Sequence, residues 1–125
     1  MYSEQLLRHF REPRHVGMLP PPACTVSTEN PVCGDILQLS ARAEDGRIVA
    51  VGFQVRGCTA AIAAGSAVAT LLAGRTLKEA MVITASMVEA ELGGLESTSK
   101  HAARLAADGA ARLVSGMMAA TSGGS

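Results

Sequence analysis

"ILQLSARAEDGRIVAVGFQV", residues 36–55, is the stretch that decides the fold of this chain. Its first half alternates, placing Leu37, Leu39, Ala41 and Ala43 on one face. Its second half does the same with Val49, Val51, Phe53 and Val55. Between them "EDGR" carries an Asp-Gly pair, the strongest short-range hairpin signal. Two half-buried antiparallel strands follow, each with one face towards a core. Both apolar sets are odd-numbered, and a three-residue loop with Gly46 in the left-handed conformation would bring them to the same side.

After Gly57-Cys58 the period changes from 2 to about 3.6. "TAAIAAGSAVATLLAG", residues 59–74, sets Ile62, Val68, Ala69 and Leu72 at helical spacing, and Gly74 fits a C-cap. "TLKEAMVITASMVEAEL" reads as one or two shorter helices, stopped by Gly93-Gly94. A long terminal helix follows, capped by Ser97 or Ser99, with Ala106, Leu113, Val114 and Met117 facing inward.

Upstream of the hairpin, Ser3 caps a first helix with Leu6, Leu7 and Phe10 on one side, and Pro13 limits its end. "MLPPPAC" is an extended connector, since three prolines exclude both helix and central strand. "CTVSTEN" reads as a short edge strand. A small antiparallel sheet followed by helices gives an α+β class. The expected organisation is one domain over residues 1–118 and a flexible tail over 119–125.

Composition narrows the function. The chain has 125 residues, enough for a core without disulfides. It is 48% hydrophobic but only 2% aromatic, so its packing must rely on small aliphatic side chains. Eleven basic residues balance eleven acidic ones, which leaves no electrostatic footprint for nucleic acid or an anionic membrane surface. The most apolar run, residues 59–74, is too short to span a bilayer. "MYSEQLLRHF" lacks the apolar core of a secretory signal. Three cysteines is an odd count far below that of a disulfide scaffold, so a reduced, cytoplasmic setting is expected.

The chemistry gathers near "NPVCGD", residues 30–35. Pro31 fixes its own φ and Gly34 permits backbone angles that other residues resist, so Cys33 and Asp35 sit on a constrained loop. Counting inward from Cys33 and from Cys58 meets at the Asp45-Gly46 turn, which puts the cysteines roughly 5 Å apart at the open end of the hairpin. Cys58 also opens a helix, whose N-terminal amides favour thiolate and lower a thiol's pKa. Two thiolates and a carboxylate select zinc or iron–sulfur chemistry over hard cations. Two neighbouring cysteines packed as core are the other reading, and both stand at this point. Cys24, in the proline-rich connector, reads as structural, and His9 and His15 as surface residues.

"YSEQLLRHFREPRHVG", "NPVCGD", "FQVRGCTAAIAAGS" and "AGRTLKEA" together resemble the N-terminal domain family of NifU, IscU and SufU, scaffolds for iron–sulfur cluster assembly. The resemblance runs from Tyr2 to about Val114. It implies a three-stranded antiparallel sheet packed against about four to five helices, and a scaffold or carrier rather than an enzyme. It also implies a site near one end that binds iron or a cluster, with zinc as a further candidate. Carried over residue by residue, the ligands are Cys33, Asp35, Cys58 and His101. The third family cysteine follows the histidine, and here Ala102 takes its place. A degenerate member acting as an adaptor, with structural zinc or no metal, is therefore an alternative. So is a zinc-dependent, sulfurtransferase-like protein. The implied partners are a cysteine desulfurase and cluster-accepting apoproteins. "GGLESTSK", residues 93–100, lacks the Leu-Pro-Pro-Val-Lys segment by which relatives dock a specialised Hsp70, and the insertion of zinc-bearing SufU proteins is absent.

Overall fold

The computed structural model describes residues 2–123. Strands β2 (Ile36–Glu44) and β3 (Arg47–Arg56) form the expected hairpin, and β1 (Cys24–Glu29) lies along the other edge of β2. The result is a three-stranded antiparallel sheet of order β1-β2-β3.

The turn corrects the expected three-residue loop. Glu44 pairs with Arg47, and Asp45 and Gly46 make a two-residue connection with φ of 52° and 77°. Positive φ at both positions matches the right-handed twist of the flanking strands. The parity of the two apolar sets is restored by a β-bulge instead. Ala43 faces Ile48 but Arg42 faces Ala50, leaving Val49 unpaired. Val49 is 46% exposed, against the sequence reading, while Ile48 is buried in its stead. Beyond the bulge Leu39 lies opposite Phe53 and Leu37 opposite Val55, so both odd-numbered sets face the core.

Five α-helices are present among the described residues: α1 (Glu4–Arg11), α2 (Thr59–Leu72), α3 (Leu77–Ala80), α4 (Ala85–Glu91) and α5 (Lys100–Gly123). Helix α2 packs on β3, and α5 on β1 and β2. The Ala/Gly composition has a steric reason at Gly65. A Cβ there would lie 2.7 Å from the Phe53 ring and 2.9 Å from a Val55 methyl. Small residues thus let α2 rest closely on the sheet, with Leu37, Leu39, Val68, Leu72 and Leu113 completing the core. Full burial of each such Leu contributes about 1.5–3 kcal/mol.

Helix α5 buries Ala106, Leu113, Val114 and Met117 as expected. It also runs on to Gly123, so residues 119–123 of the expected tail are helical. Ala119 and Ala120 continue the run of strong helix formers, and nothing before Gly123 stops it. Gly124 and Ser125, the rest of that expected tail, lie outside the described residues.

His9 is a further correction. It is buried rather than at the surface. Its Nδ1 lies 2.7 Å from Ser66 Oγ on α2, and its Nε2 lies 2.9 Å from Glu91 Oε2 on α4. Ser66 Oγ also accepts a bond from the Arg14 amide. One side chain thereby ties α1 to two helices far along the chain. His15 is exposed, as expected.

Residues 15–17 strap the outer edge of β3. The Phe53 amide donates to the His15 carbonyl at 3.0 Å, and the Gly17 amide donates to the Phe53 carbonyl at 2.8 Å. At the far end of that edge, Ile48 exchanges backbone bonds with Gly74 and Arg75.

Candidate metal centre

The connection from β1 to β2 folds on itself. The Val32 amide donates to Asn30 Oδ1, the Gly34 amide to the Asn30 carbonyl, and the Asn30 amide to the Asp35 carbonyl. Gly34, at φ 78°, supplies the left-handed step that closes the turn. The loop leaves Cys33 exposed and turns Asp35 inward, where it is only 6% exposed. The ladder ends at Ile36 opposite Arg56, so this loop, and not a cross-strand pairing of Cys33 with Cys58, presents the first thiol.

Asp35 is the hub. Its Oδ2 accepts from the Cys58 thiol at 3.4 Å and lies 3.6 Å from His101 Nε2. Cys58 Sγ is 4.0 Å from the same His101 nitrogen. Donor atoms of Cys33, Asp35 and His101 all lie within 4.8 Å of one another. The structure therefore brings together all four residues singled out from the sequence. Cys33, Asp35 and His101 form the compact group, and Cys58 joins it through Asp35 and His101.

Electrostatics at Cys58 run opposite to the sequence expectation. Cys58 is the N-cap residue of α2, but its side chain makes no capping bond. Burial of its inner side pushes the thiol pKa up, and the adjoining Asp35 carboxylate adds to this; the Ala61 and Ala60 amides pull it down, but less. The helix N-terminus is outweighed by desolvation and a neighbouring acid. The protonated form keeps the Cys58–Asp35 hydrogen bond.

Two further placements bear on the site. Ala102, next to His101, is fully buried, so its methyl belongs to the core rather than to the rim where the thiols sit. Cys24 is half-buried at the opposite end of β1 from the Asn30–Asp35 loop, packed against Gly116 of α5. Sequence reasoning missed the part played by Gly57: a Cβ there would stand 2.5 Å from Asp35 Oδ1. The Gly-Cys pair was legible, but not that glycine makes room for the carboxylate.

The family model for the NifU-like N-terminal domain matches residues 1–120. The chain belongs to that family. It is 39% identical over 114 residues to the iron–sulfur cluster assembly scaffold protein IscU 1 of Archaeoglobus fulgidus, covering 91% of this chain and 74% of the relative. It is 35% identical over 111 residues to the IscU scaffold of Haemophilus influenzae, covering 86% and 87%. Both of these relatives are named as iron–sulfur cluster assembly scaffold proteins.

Two solved structures show the fold. The N-terminal NifU-like protein of Brucella abortus superimposes with a TM-score of 0.68 at 19% identity, covering 90% of this chain and 91% of that one. A SUF-system scaffold from Fervidobacterium islandicum gives 0.74 at 16% identity, with coverage of 90% and 96%. Among the described residues no helix is long and apolar enough to cross a membrane.

Proposed function

We propose that this NifU-like domain carries iron or an iron–sulfur cluster as cargo on Cys33, Asp35, Cys58 and His101. The observation that supports this reading most directly is the convergence of three chemically different donors, Cys33, Asp35 and His101, within 4.8 Å. Thiolates of Cys33 and Cys58 supply the soft ligands that iron–sulfur cargo selects. His101 supplies an imidazole in place of the third thiolate. Asp35 supplies an oxygen ligand, weaker for this cargo, whose exchange eases release. Loading requires the Cys58 proton to leave, because the ligand is the thiolate. A cysteine desulfurase as sulfur source and apoproteins as recipients complete the cycle in this reading. The three free thiols suit a reducing compartment such as the cytoplasm.

The test is anaerobic reconstitution with iron and sulfide, followed by absorption spectroscopy and quantification of both elements, beside an Ala102→Cys variant. A stoichiometric cluster on the unaltered chain, lost in both Cys33→Ala and Cys58→Ala, supports the carrier. A full spectrum persisting in both of those variants sinks it.

The buried Ala102 favours a second reading. With no third thiol, the domain keeps the cradle and serves as an adaptor for assembly proteins, holding zinc or no metal. A cluster that forms only on the Ala102→Cys chain would select this reading. The sulfurtransferase alternative is weaker, since both thiols of the site are engaged as ligands and none is spare to relay sulfur.

A further inference from the structure

We infer that the outer edge of β3 around Val55 is a strand-addition site for an extended, acidic segment of a partner protein. The inference goes beyond cargo binding and does not depend on which cargo is held.

Backbone geometry is the first support. In an antiparallel pair, alternate residues direct both N–H and C=O away from the partner strand. Phe53 does so, because its amide and carbonyl bond the strap at His15 and Gly17. Val55, two residues on and opposite Leu37, shares that orientation. The strap stops at Phe53, and among the described residues no hydrogen bond reaches the outward N–H and C=O of Val55. Proteins ordinarily cover or block such an edge. This one is covered at Ile48 and at Phe53 and left open at Val55.

The space beside it is the second support. A cavity of about 610 Å³ borders this edge and reaches over β3 to Ile36 and Gln38 of β2, with Pro13, Val16, Val55 and Ile62 among its other walls. Val16 is 63% exposed, an uncovered apolar side chain next to unpaired backbone. An extended peptide uses both features at once: main-chain bonds give affinity, and alternate side chains fill the groove.

Charge selects the occupant. Among the described residues Arg56 is the one charged residue lining the cavity, and it is exposed. No carboxylate pairs with it among the described residues. A segment that places Glu, Asp or a terminal carboxylate beside Arg56 meets an unopposed guanidinium. Cys58 follows Arg56 by two positions, so a strand held here runs up to the metal centre. The groove is suited to a partner that gives to, or takes from, that centre.

The experiment uses the full chain labelled with ¹⁵N and a five-residue peptide, acetylated and amidated, of alternating valine and threonine with a central glutamate. At millimolar peptide, the Val55 amide should shift downfield and exchange more slowly with solvent. Arg56→Glu should weaken binding about tenfold, and a lysine-centred peptide should recover it on that variant. An unchanged amide spectrum confirms that this exposed substitution leaves the fold intact. The inference is overturned by an unmoved Val55 amide, or by equal binding of a peptide N-methylated along its backbone. It is also overturned if the Val55 shift appears with rising protein concentration alone, which would make a second copy of the chain the occupant.

Discussion

Asp35 Oδ1 occupies the space a side chain on Gly57 would need: a Cβ there would lie 2.5 Å from it. The glycine before Cys58 thus fixes where the hub carboxylate can stand, although the two residues lie on different strand ends. Gly57→Ala should swing the Asp35 carboxylate away from Cys58 and His101. Loss of an orienting contact of this kind costs roughly 10–100-fold in metal affinity. Titration with Co(II), followed through its thiolate absorption, should show that loss while the melting temperature stays nearly unchanged. An affinity equal to that of the unaltered chain would remove Gly57 from the site.

Cys58 should behave as a reluctant nucleophile. Burial first, and the Asp35 carboxylate after it, raise its thiol pKa in the folded chain. Alkylation of Cys58 by iodoacetamide should therefore rise with pH later than in an unfolded peptide, and Asp35→Asn should move the profile to lower pH. The stability contributed by the protonated Cys58–Asp35 contact is fully present below the unfolded thiol pKa. It is lost as pH rises through the folded value. Mass spectrometry of alkylated peptides across a pH series checks both statements, and a Cys58 profile matching the free peptide would contradict them.

His9→Ala should destabilise the fold without touching the cargo site. It removes one of the two bonds at the fully buried Ser66 Oγ, which keeps the Arg14 amide, and the His9 bond at the part-buried Glu91 Oε2. Two lost side-chain bonds at about 0.5–1.5 kcal/mol each give a loss of about 1–3 kcal/mol. Urea unfolding measures it, and reconstitution with iron and sulfide should give the same yield per folded chain. A stability change within error would show that solvent replaces these bonds.

Helix α3 is secured by a reciprocal pair: the Thr76 hydroxyl accepts from the Glu79 amide, and the Glu79 carboxylate accepts from the Thr76 amide. Thr76→Ala should cost about 1 kcal/mol. Hydrogen bonding from Thr76 is the main cause of the lowered Glu79 pKa. The contribution of Glu79 is present above the unfolded glutamate value, about 4.3. It fades as pH falls through the lower folded value. In Thr76→Ala that acid-dependent loss should shrink, as read from melting temperatures between neutral and acid pH.

Sequence reasoning succeeded where the information was local. The change of period at Gly57-Cys58 separates β3 from α2, and Asp45-Gly46 marks where the turn falls, though not its length. That Cys33, Asp35 and Cys58 lie near one end of the hairpin was legible from loop chemistry, whereas His101 entered through the family resemblance. What escaped was decided by distant partners. The bulge at Val49 was invisible because alternation alone does not reveal which strand carries the extra residue. His9 read as a polar surface residue because Ser66 and Glu91, which bury it, lie 57 and 82 positions away. Cys58 was assigned a lowered pKa because the helix start can be read from sequence and the desolvation around it cannot.

The His9–Glu91 bond also orders events during synthesis. Helix α1 leaves the ribosome before α4, so its anchor there cannot form until residue 91 has emerged as well. Its packing surface is α2, and until that helix has emerged α1 is a short amphipathic helix with nothing to bury against, marginal alone. The strap that follows it waits for Phe53 in the same way. Helix α1 is thus secured only after α2 has followed it, and a nascent chain stalled before Thr59 would display Leu6 and Phe10 to whatever chaperone is nearest.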